Sequence, residues 1–372
     1  MRKTLFAIVA LLAALPLTGA LASLPERPAI EKAVAFIRTT QQADGGFGGF
    51  GDGQTFDAVY AIRSIGLDPN SVQNGGKSPA DFLRAKAAAQ KKPAEAAKAA
   101  LAAKALDINP KAVGGVDLIA VIAGGLDQAT GRYGVDDFSH SLAILGLACT
   151  GNPVPAAAVA ALKKTQLKDG GWGFDGASDP DTAAIGLQAL LAAGVTTTDS
   201  AVAAAIAYFR AAQEKDAGWG FDPEASNASS TAFAVQALIA AGEPVEGPAY
   251  TKSGKTPVTF LVSQQLPDGS FAGFDAGFAA NQVTPALAGR TFCNASATAF
   301  SNQGPIPPAT PSPTAPPVPS TPSPTAAATR APEPPNTGTG AVAAGEQSTL
   351  VLVALGAFIL SLGAGFGSIR RR

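Results

Sequence analysis

Few residues in this 372-residue chain have the type and spacing for chemistry. The single histidine, His140, ends the run Asp136-Asp137-Phe138-Ser139-His140, and acid, hydroxyl and imidazole together invite a hydrolase reading. Residues this close on one helical turn do not give nucleophile, base and orienting acid the geometry of a triad. Capping by Asp137 is the expected role, with His140 able to titrate near neutral pH. A second acidic group is Ser178-Asp179-Pro180-Asp181-Thr182. Asp179, Asp181 and His140 are therefore the candidates should catalysis occur. One histidine makes a multi-histidine metal site impossible, and the sequence calls for no cofactor. Cys149 and Cys293 read either as one disulfide in an oxidising compartment or as two buried thiols. With 27 basic against 28 acidic residues and no basic run, nucleic acid is not an expected partner.

The elements that must position these residues are repeats. Four segments are nearly alike: Gln41-Gln42-Ala43-Asp44-Gly45-Gly46-Phe47-Gly48, Gln166-Leu167-Lys168-Asp169-Gly170-Gly171-Trp172-Gly173, Gln213-Glu214-Lys215-Asp216-Ala217-Gly218-Trp219-Gly220 and Gln265-Leu266-Pro267-Asp268-Gly269-Ser270-Phe271. Each follows an alanine-rich apolar run. A unit repeated at roughly 47 residues means stacked helical hairpins. Apolar spacing predicts first-of-pair helices over Ile30–Gln42, Pro79–Gln90, Val113–Leu126, Pro155–Gln166, Asp199–Gln213 and Thr256–Gln265. The second-of-pair helices fall over Phe56–Gly66, Pro93–Leu106, Asp137–Cys149, Asp181–Ala193, Ser229–Ala241 and roughly Gln282–Arg290. The second set is apolar nearly all round, hence buried, and the first carries more charge, hence outer. The two most alike, Asp181–Gly194 and Ser230–Gly242, open on Asp or Ser/Thr, which cap helices, and end on glycines that mark left-handed exits. Pair two lacks the glycine-rich turn, and pair three has a weak version, Gly131-Arg132-Tyr133-Gly134. The turn glycines serve positive φ and close approach. Gln41, Gln166, Gln213 and Gln265 are expected to bond exposed backbone of the turns. Phe47, Trp172, Trp219 and Phe271 are expected to stack on them and plug the gap between hairpins. A calcium or ligand loop is the competing reading of these turns.

The chain ends differ in composition. Residues 1–22 read as a signal peptide, with Arg2-Lys3, an apolar run and small residues at Ala20 and Ala22. An uncleaved membrane anchor is the alternative. Residues 23–302 form the repeat domain. Residues 303–348 are a Pro/Thr/Ser-rich stalk that cannot bury a core, on the order of 100 Å long if extended. Residues 349–372 are apolar and end in three arginines, a transmembrane helix with a cytoplasmic basic tail. The repeat domain is thus expected outside the cytoplasm, anchored by its C-terminus.

The repeat resembles the QW motif of squalene-hopene cyclases and of protein prenyltransferase β-subunits, over about Ile30 to Arg290. The resemblance implies an all-α α6/α6 toroid, six inner helices within six outer ones, and the six pairs agree with it. It does not by itself imply a chemistry. Class II terpene cyclases protonate substrate with the middle Asp of Asp-x-Asp-Asp-Thr. Aligned on Thr182, the segment Ser178–Thr182 places Pro180 at that position, and Asp181 then reads as a helix cap. Prenyltransferases hold zinc through an Asp-x-Cys-Tyr whose counterpart here is Asp57-Ala58-Val59-Tyr60, without the cysteine. Their histidine has no counterpart near Asn281-Gln282-Val283-Thr284. Complement-type thioester domains are toroids too, and Ala344-Gly345-Glu346-Gln347 lacks their cysteine. Vitamin B12 carriers share the toroid as well. Pro334-Pro335-Asn336-Thr337-Gly338 resembles a cell-wall sorting signal with Pro334 in place of Leu, so a sortase is a possible partner beside the membrane itself.

The inner helices all start at one end of the barrel. Their first turns carry Asp57, Asp137, Ser139, His140, Asp181, Thr182, Ser229, Ser230, Thr231, Asn281 and Thr284, a polar mouth over an apolar shaft. The expected function is a surface-anchored toroid that binds a small hydrophobic or cobamide-like ligand, or a partner, without catalysis. A terpenoid-cyclase-like or lipid-modifying enzyme is the second expectation, and a structural spacer or adhesin the third.

Overall fold

The computed structural model of the protein describes residues 26–49, 51–221 and 225–295. The segments expected to be a signal peptide, a stalk with a sorting-like motif and a transmembrane helix lie outside the described residues. Among the described residues, no helix is long and apolar enough to cross a membrane.

Twelve α-helices make six pairs among these residues. The outer members are α1 (Arg27–Thr39), α3 (Pro79–Lys86), α5 (Leu118–Gly124), α7 (Ala156–Thr165), α9 (Ser200–Ala212) and α11 (Pro257–Ser263). The inner members are α2 (Asp52–Ser64), α4 (Pro93–Ala105), α6 (Asp137–Cys149), α8 (Pro180–Ala192), α10 (Ala228–Ala240) and α12 (Ala276–Leu287). Each inner helix packs on the next, and α12 packs back on α2, so the ring is closed. This is the α/α toroid expected. Two short antiparallel ladders, β1 (Leu126–Asp127) with β2 (Arg132–Tyr133) and β3 (Gly173–Phe174) with β4 (Ala177–Ser178), belong to the turns. Alanine makes the ring possible, because small side chains let buried backbones approach. Gly146 of α6 lies so close to Ala97 of α4 that a Cβ there would fall 2.5 Å from the alanine methyl.

Helices α4 and α6 start where expected, at Pro93 and Asp137, whereas α2, α8, α10 and α12 start earlier. Asp136, Asp179, Asn227 and Asp275 are the caps of α6, α8, α10 and α12, each accepting the backbone N–H three residues on. Asp137 and Asp181 are not caps, a correction with consequences below. Helix α12 begins at Ala276 rather than Gln282 because Asp275 sets its start. Pro285 sits in its last turns, where its missing N–H costs the Asn281 carbonyl one intrahelical donor.

The repeated turns are staples. Gln166 Nε2 donates to Gly170 O of its own turn and to Ala201 O of the next outer helix, both at 2.8 Å. Gln41 donates to Gly45 O and to Val72 O ahead of α3, and Gln213 to Ala217 O and to Tyr250 O ahead of α11. Gln265 reaches Gly269 and Ala29, joining the last repeat to the first. Gly170, at φ +93°, lies against the α9 backbone, so a Cβ there would sit 2.2 Å from Ala204 O. The aromatics plug their own hairpin more than the gap to the next. Trp172 is fully buried, its Nε1–H donates to Leu162 O of α7 at 2.8 Å, and its ring covers Gly186 of α8. Trp219 does likewise with Phe209 O, and its ring also meets Tyr250 of the next repeat.

Candidate functional site: the lumen of the ring

Counting from each cap fixes which residues face the lumen. Helical side chains three and four apart share a face. Phe138 of α6 and Phe233 of α10 meet edge-on with ring centroids 6.5 Å apart. Those helices are not neighbours, since α8 stands between them, so the contact crosses the lumen. Phe138 is the second residue past its cap and Phe233 the sixth. The second position holds Gly53, Ala94, Phe138, Asp181, Ser229 and Gly277 around the ring. The sixth position holds Asp57, Lys98, Leu142, Ile185, Phe233 and Asn281, and the ninth holds Tyr60, Leu101, Leu145, Gln188, Gln236 and Thr284. The thirteenth is small throughout: Ser64, Ala105, Cys149, Ala192, Ala240 and Ala288.

That small layer makes room for a stopper. Residues 290–295 turn back from α12 across the C-terminal end of the lumen. Arg290 Nε donates to Ser64 O of α2 at 3.3 Å, and the Phe292 ring meets Tyr60 of α2 at 5.1 Å. Phe292 N donates to Gln188 Oε1 of α8. Cys293 forms a disulfide with Cys149 of α6, which resolves the two readings left open for these cysteines. The Lys104 ammonium of α4 donates to the carbonyls of both cysteines.

The opposite, N-terminal end carries the buried carboxyl groups. Asp57 and Lys98 pair at 2.7 Å between α2 and α4. Burial pushes the Asp57 carboxyl up and the Lys98 ammonium down, and their mutual attraction offsets part of each. Asp179, capping α8, is pushed up to about 6 by burial, against the bond it accepts from the Thr182 backbone N–H. Asp181 is pushed up to about 8, first by burial and then by the nearby Asp179 charge, against a hydrogen bond with Ser230. Its Oδ1 has no hydrogen-bond partner, nor has Oδ1 of Asn281, which donates from Nδ2 to Gln54 O. Deeper along the lumen, Tyr60 OH, Gln188 Nε2 and Gln236 Oε1 are also buried without a partner.

Of the expected mouth residues, Asp57, Asp181, Ser230 and Asn281 belong together here. Thr182 is buried beside them at the third position of α8, its hydroxyl unpartnered. Asp137, Thr231 and His140 face the outer layer, which corrects their assignment. Asp137 pairs with Arg132 at 2.7 Å and accepts from Thr165. Thr231 accepts from Trp219 N and donates to Trp219 O. His140 is fully buried, its Nδ1 accepting from Tyr133 N and its Nε2 bonded to Ala158 O of α7. Burial lowers its pKa, so it is a neutral staple rather than a titrating site residue. Phe138, Lys98 and the stopper were missed. The caps were the signal that would have found the first two, since counting from them places both in the lumen.

A closed ring of six inner helices with stapled turns defines an α/α toroid, and the comparisons agree. The family model for the prenyltransferase alpha-alpha toroid domain matches residues 1–73, and that for the squalene-hopene cyclase C-terminal domain matches residues 141–281. Two family models of QW-repeat toroids thus match separate parts of the chain, and the ring observed is the fold both describe. The type II terpene cyclase MstE from Scytonema, in its apo form, is similar with a TM-score of 0.55 at 14% identity, over 70% of this chain and 97% of that one. A variant of that cyclase in complex with geranylgeranyl dihydroxybenzoate, its substrate, gives 0.56 at 14% identity over 72% and 97%. At that identity the likeness carries the fold. No curated protein sequence is significantly similar to the chain.

Proposed function

We propose that the lumen binds a small, largely apolar molecule with one polar end, held against Asp181, and that it does so without catalysis. The carrying observation is Asp181 itself: a buried carboxyl pushed up to about 8, with one oxygen unpartnered, beside a pair of phenylalanines. An unpaired buried polar atom costs about 1–3 kcal/mol, so a guest that bonds it gains affinity. At neutral pH the carboxyl holds its proton and donates to a ligand hydroxyl or carbonyl oxygen. Phe138, Phe233, Leu142 and Ile185 supply the apolar wall. An isoprenoid alcohol or prenylated phenol has this shape and polarity. The Cys149–Cys293 disulfide supports a location outside the cytoplasm, with the C-terminal segment as anchor.

A second reading, proton donation to an alkene as in a terpene cyclase, is favoured by one specific feature. Aligned on its first aspartate, Asp179-Pro180-Asp181 keeps the Asp-x-Asp spacing of the cyclase motif, with Asp181 in the middle place and Thr182 replacing the last acid. Acid strength argues against it. A carboxyl at about 8 is a weaker acid than one at 3.8 by a factor of about 10⁴, on the order of 6 kcal/mol, and alkene protonation needs the opposite. Incubation with geranylgeraniol and geranylgeranyl phenols separates the two. Saturable binding weakened by Asp181→Leu, with the ligand recovered unchanged, supports the carrier. Cyclised product abolished by Asp181→Asn supports the enzyme and overturns the carrier. No binding of any prenyl compound overturns both.

A further inference from the structure

We propose that the C-terminal end of the lumen holds a second, separate small-molecule site, for a compact apolar compound carrying one carbonyl-type hydrogen-bond acceptor. A pocket of about 280 Å³ lies there between the ring and the stopper. That is room for roughly ten non-hydrogen atoms, a water's share of liquid volume being about 30 Å³. Leu145, Leu191 and Ile239 give it apolar walls, and Thr291 and Cys293 of the stopper close it. No charged side chain lines it, so ions and zwitterions gain nothing there.

Gln188 sets the ligand chemistry. It lines the pocket and is 2% exposed. Its Oε1 is committed to Phe292 N of the stopper, which fixes the amide orientation and leaves Nε2 as the free end. That Nε2 is buried without a partner. A buried amide N–H with nothing to donate to favours any acceptor brought within reach. A ketone, ester or quinone oxygen satisfies it, and a hydrocarbon of the same shape does not. The site depends on the stopper, since Cys293 and Thr291 are its floor, and the disulfide to α6 holds them in place. It goes beyond the Asp181 reading, which concerns the other end of the barrel.

The probe is 4-fluoroacetophenone, with 1-ethyl-4-fluorobenzene as its hydrocarbon counterpart, titrated into the full chain and followed by fluorine NMR. The ketone is expected to bind about five-fold more tightly than the hydrocarbon, one neutral hydrogen bond's worth. Gln188→Leu removes that preference. Ala192→Val, which fills part of the pocket without touching the amide, weakens both probes and reads the site even where Gln188→Leu fails to fold. Asp181→Asn leaves both unchanged. Equal affinity for the two probes overturns the proposal, as does a preference that survives Gln188→Leu or a ketone affinity that survives Ala192→Val. Ketone binding that disappears in Asp181→Asn places the probe in the upper lumen, which also overturns it while leaving the first reading intact.

Discussion

Asp181 makes a pH dependence of unusual sign. A carboxylate paired or capped in the folded state normally has a depressed pKa and stabilises as pH rises. Asp181 is the reverse, with an ordinary value of 3.8 and a folded value of about 8. Between those limits the folded chain holds a proton that the unfolded chain has released, so the slope of unfolding free energy with pH is negative. The contribution is fully present below about pH 4 and is lost as pH rises through about 8. Each tenfold difference in proton affinity is worth 1.36 kcal/mol, so the whole effect is at most about 6 kcal/mol. Asp181→Asn keeps the shape and removes the titration. The variant and wild type are therefore expected to match near pH 4.5 and to diverge steadily above it. At pH 9 the variant is the more stable by about 3–6 kcal/mol, or roughly 10–20 °C in Tm for a domain of this size. Thermal melts by circular dichroism from pH 4.5 to 9 measure this. Parallel curves for the two proteins would mean that Asp181 is solvated and charged, and would remove the basis for a neutral donor in the lumen.

Four further outcomes follow from the geometry. Gly170→Ala places a methyl 2.2 Å from Ala204 O at φ +93° and should cost about 2–4 kcal/mol in urea unfolding; a neutral result would mean the seam between the fourth and fifth pairs is loose. Trp219→Ala, which empties a fully buried site and strips the Phe209 carbonyl of its donor, should cost about 3–5 kcal/mol by the same assay. Cys149→Ser with Cys293→Ser removes a cross-link between positions 144 apart, worth about 5 kcal/mol in chain entropy, and a reduced wild type should melt at the same lowered temperature. His140→Ala leaves Tyr133 N and Ala158 O without their partner, about 3 kcal/mol in all. Because burial depresses the His140 pKa, its contribution is present above the ordinary 6.5 and is lost as pH falls below it, and His140→Gln should flatten that acid limb of the melting curve.

The ring was legible because its punctuation is spelled out. Gln at the end of an outer helix, then Asp-Gly-Gly-aromatic, states both a turn and a contact with the next hairpin, and the glutamines make those contacts. The lumen was less legible, and the reason is angular. Successive residues of a helix point about 100° apart. The segments Asp136-Asp137, Asp179-Pro180-Asp181 and Asn227-Ala228-Ser229-Ser230 each offer more than one possible cap. Taking Asp181 for the cap in place of Asp179 turns the helix by about 200° and carries the lumen side chains into the outer layer. That is why His140 and Thr231, four past their caps, turned out to be staples, while Asp181, two past its cap, looks inward. The stopper carries no periodicity, and nothing in the spacing of Cys149 and Cys293 tells that one crosses the barrel to reach the other.

The staples also explain how a ring with an incomplete set of motifs closes. Four of the six seams carry a motif glutamine: first to second pair through Gln41, fourth to fifth through Gln166, fifth to sixth through Gln213, and sixth to first through Gln265. The third-to-fourth seam has none, and there His140 reaches Ala158 O in the first turn of the next outer helix, the place where Gln166 reaches Ala201. The lone histidine is thus a substitute glutamine. The second-to-third seam has neither, since Gln90 turns instead to Asp52 and Lys86. At that seam the inner helices lie close together, the alanine-rich α4 against Gly146 of α6. Where side chains do not bridge the outer layer, the inner layer closes the distance, and its packing does what the missing hydrogen bond would have done. Repeat identity is therefore read from seam contacts rather than from motif letters, and the motif residues answer to the ring rather than to the lumen.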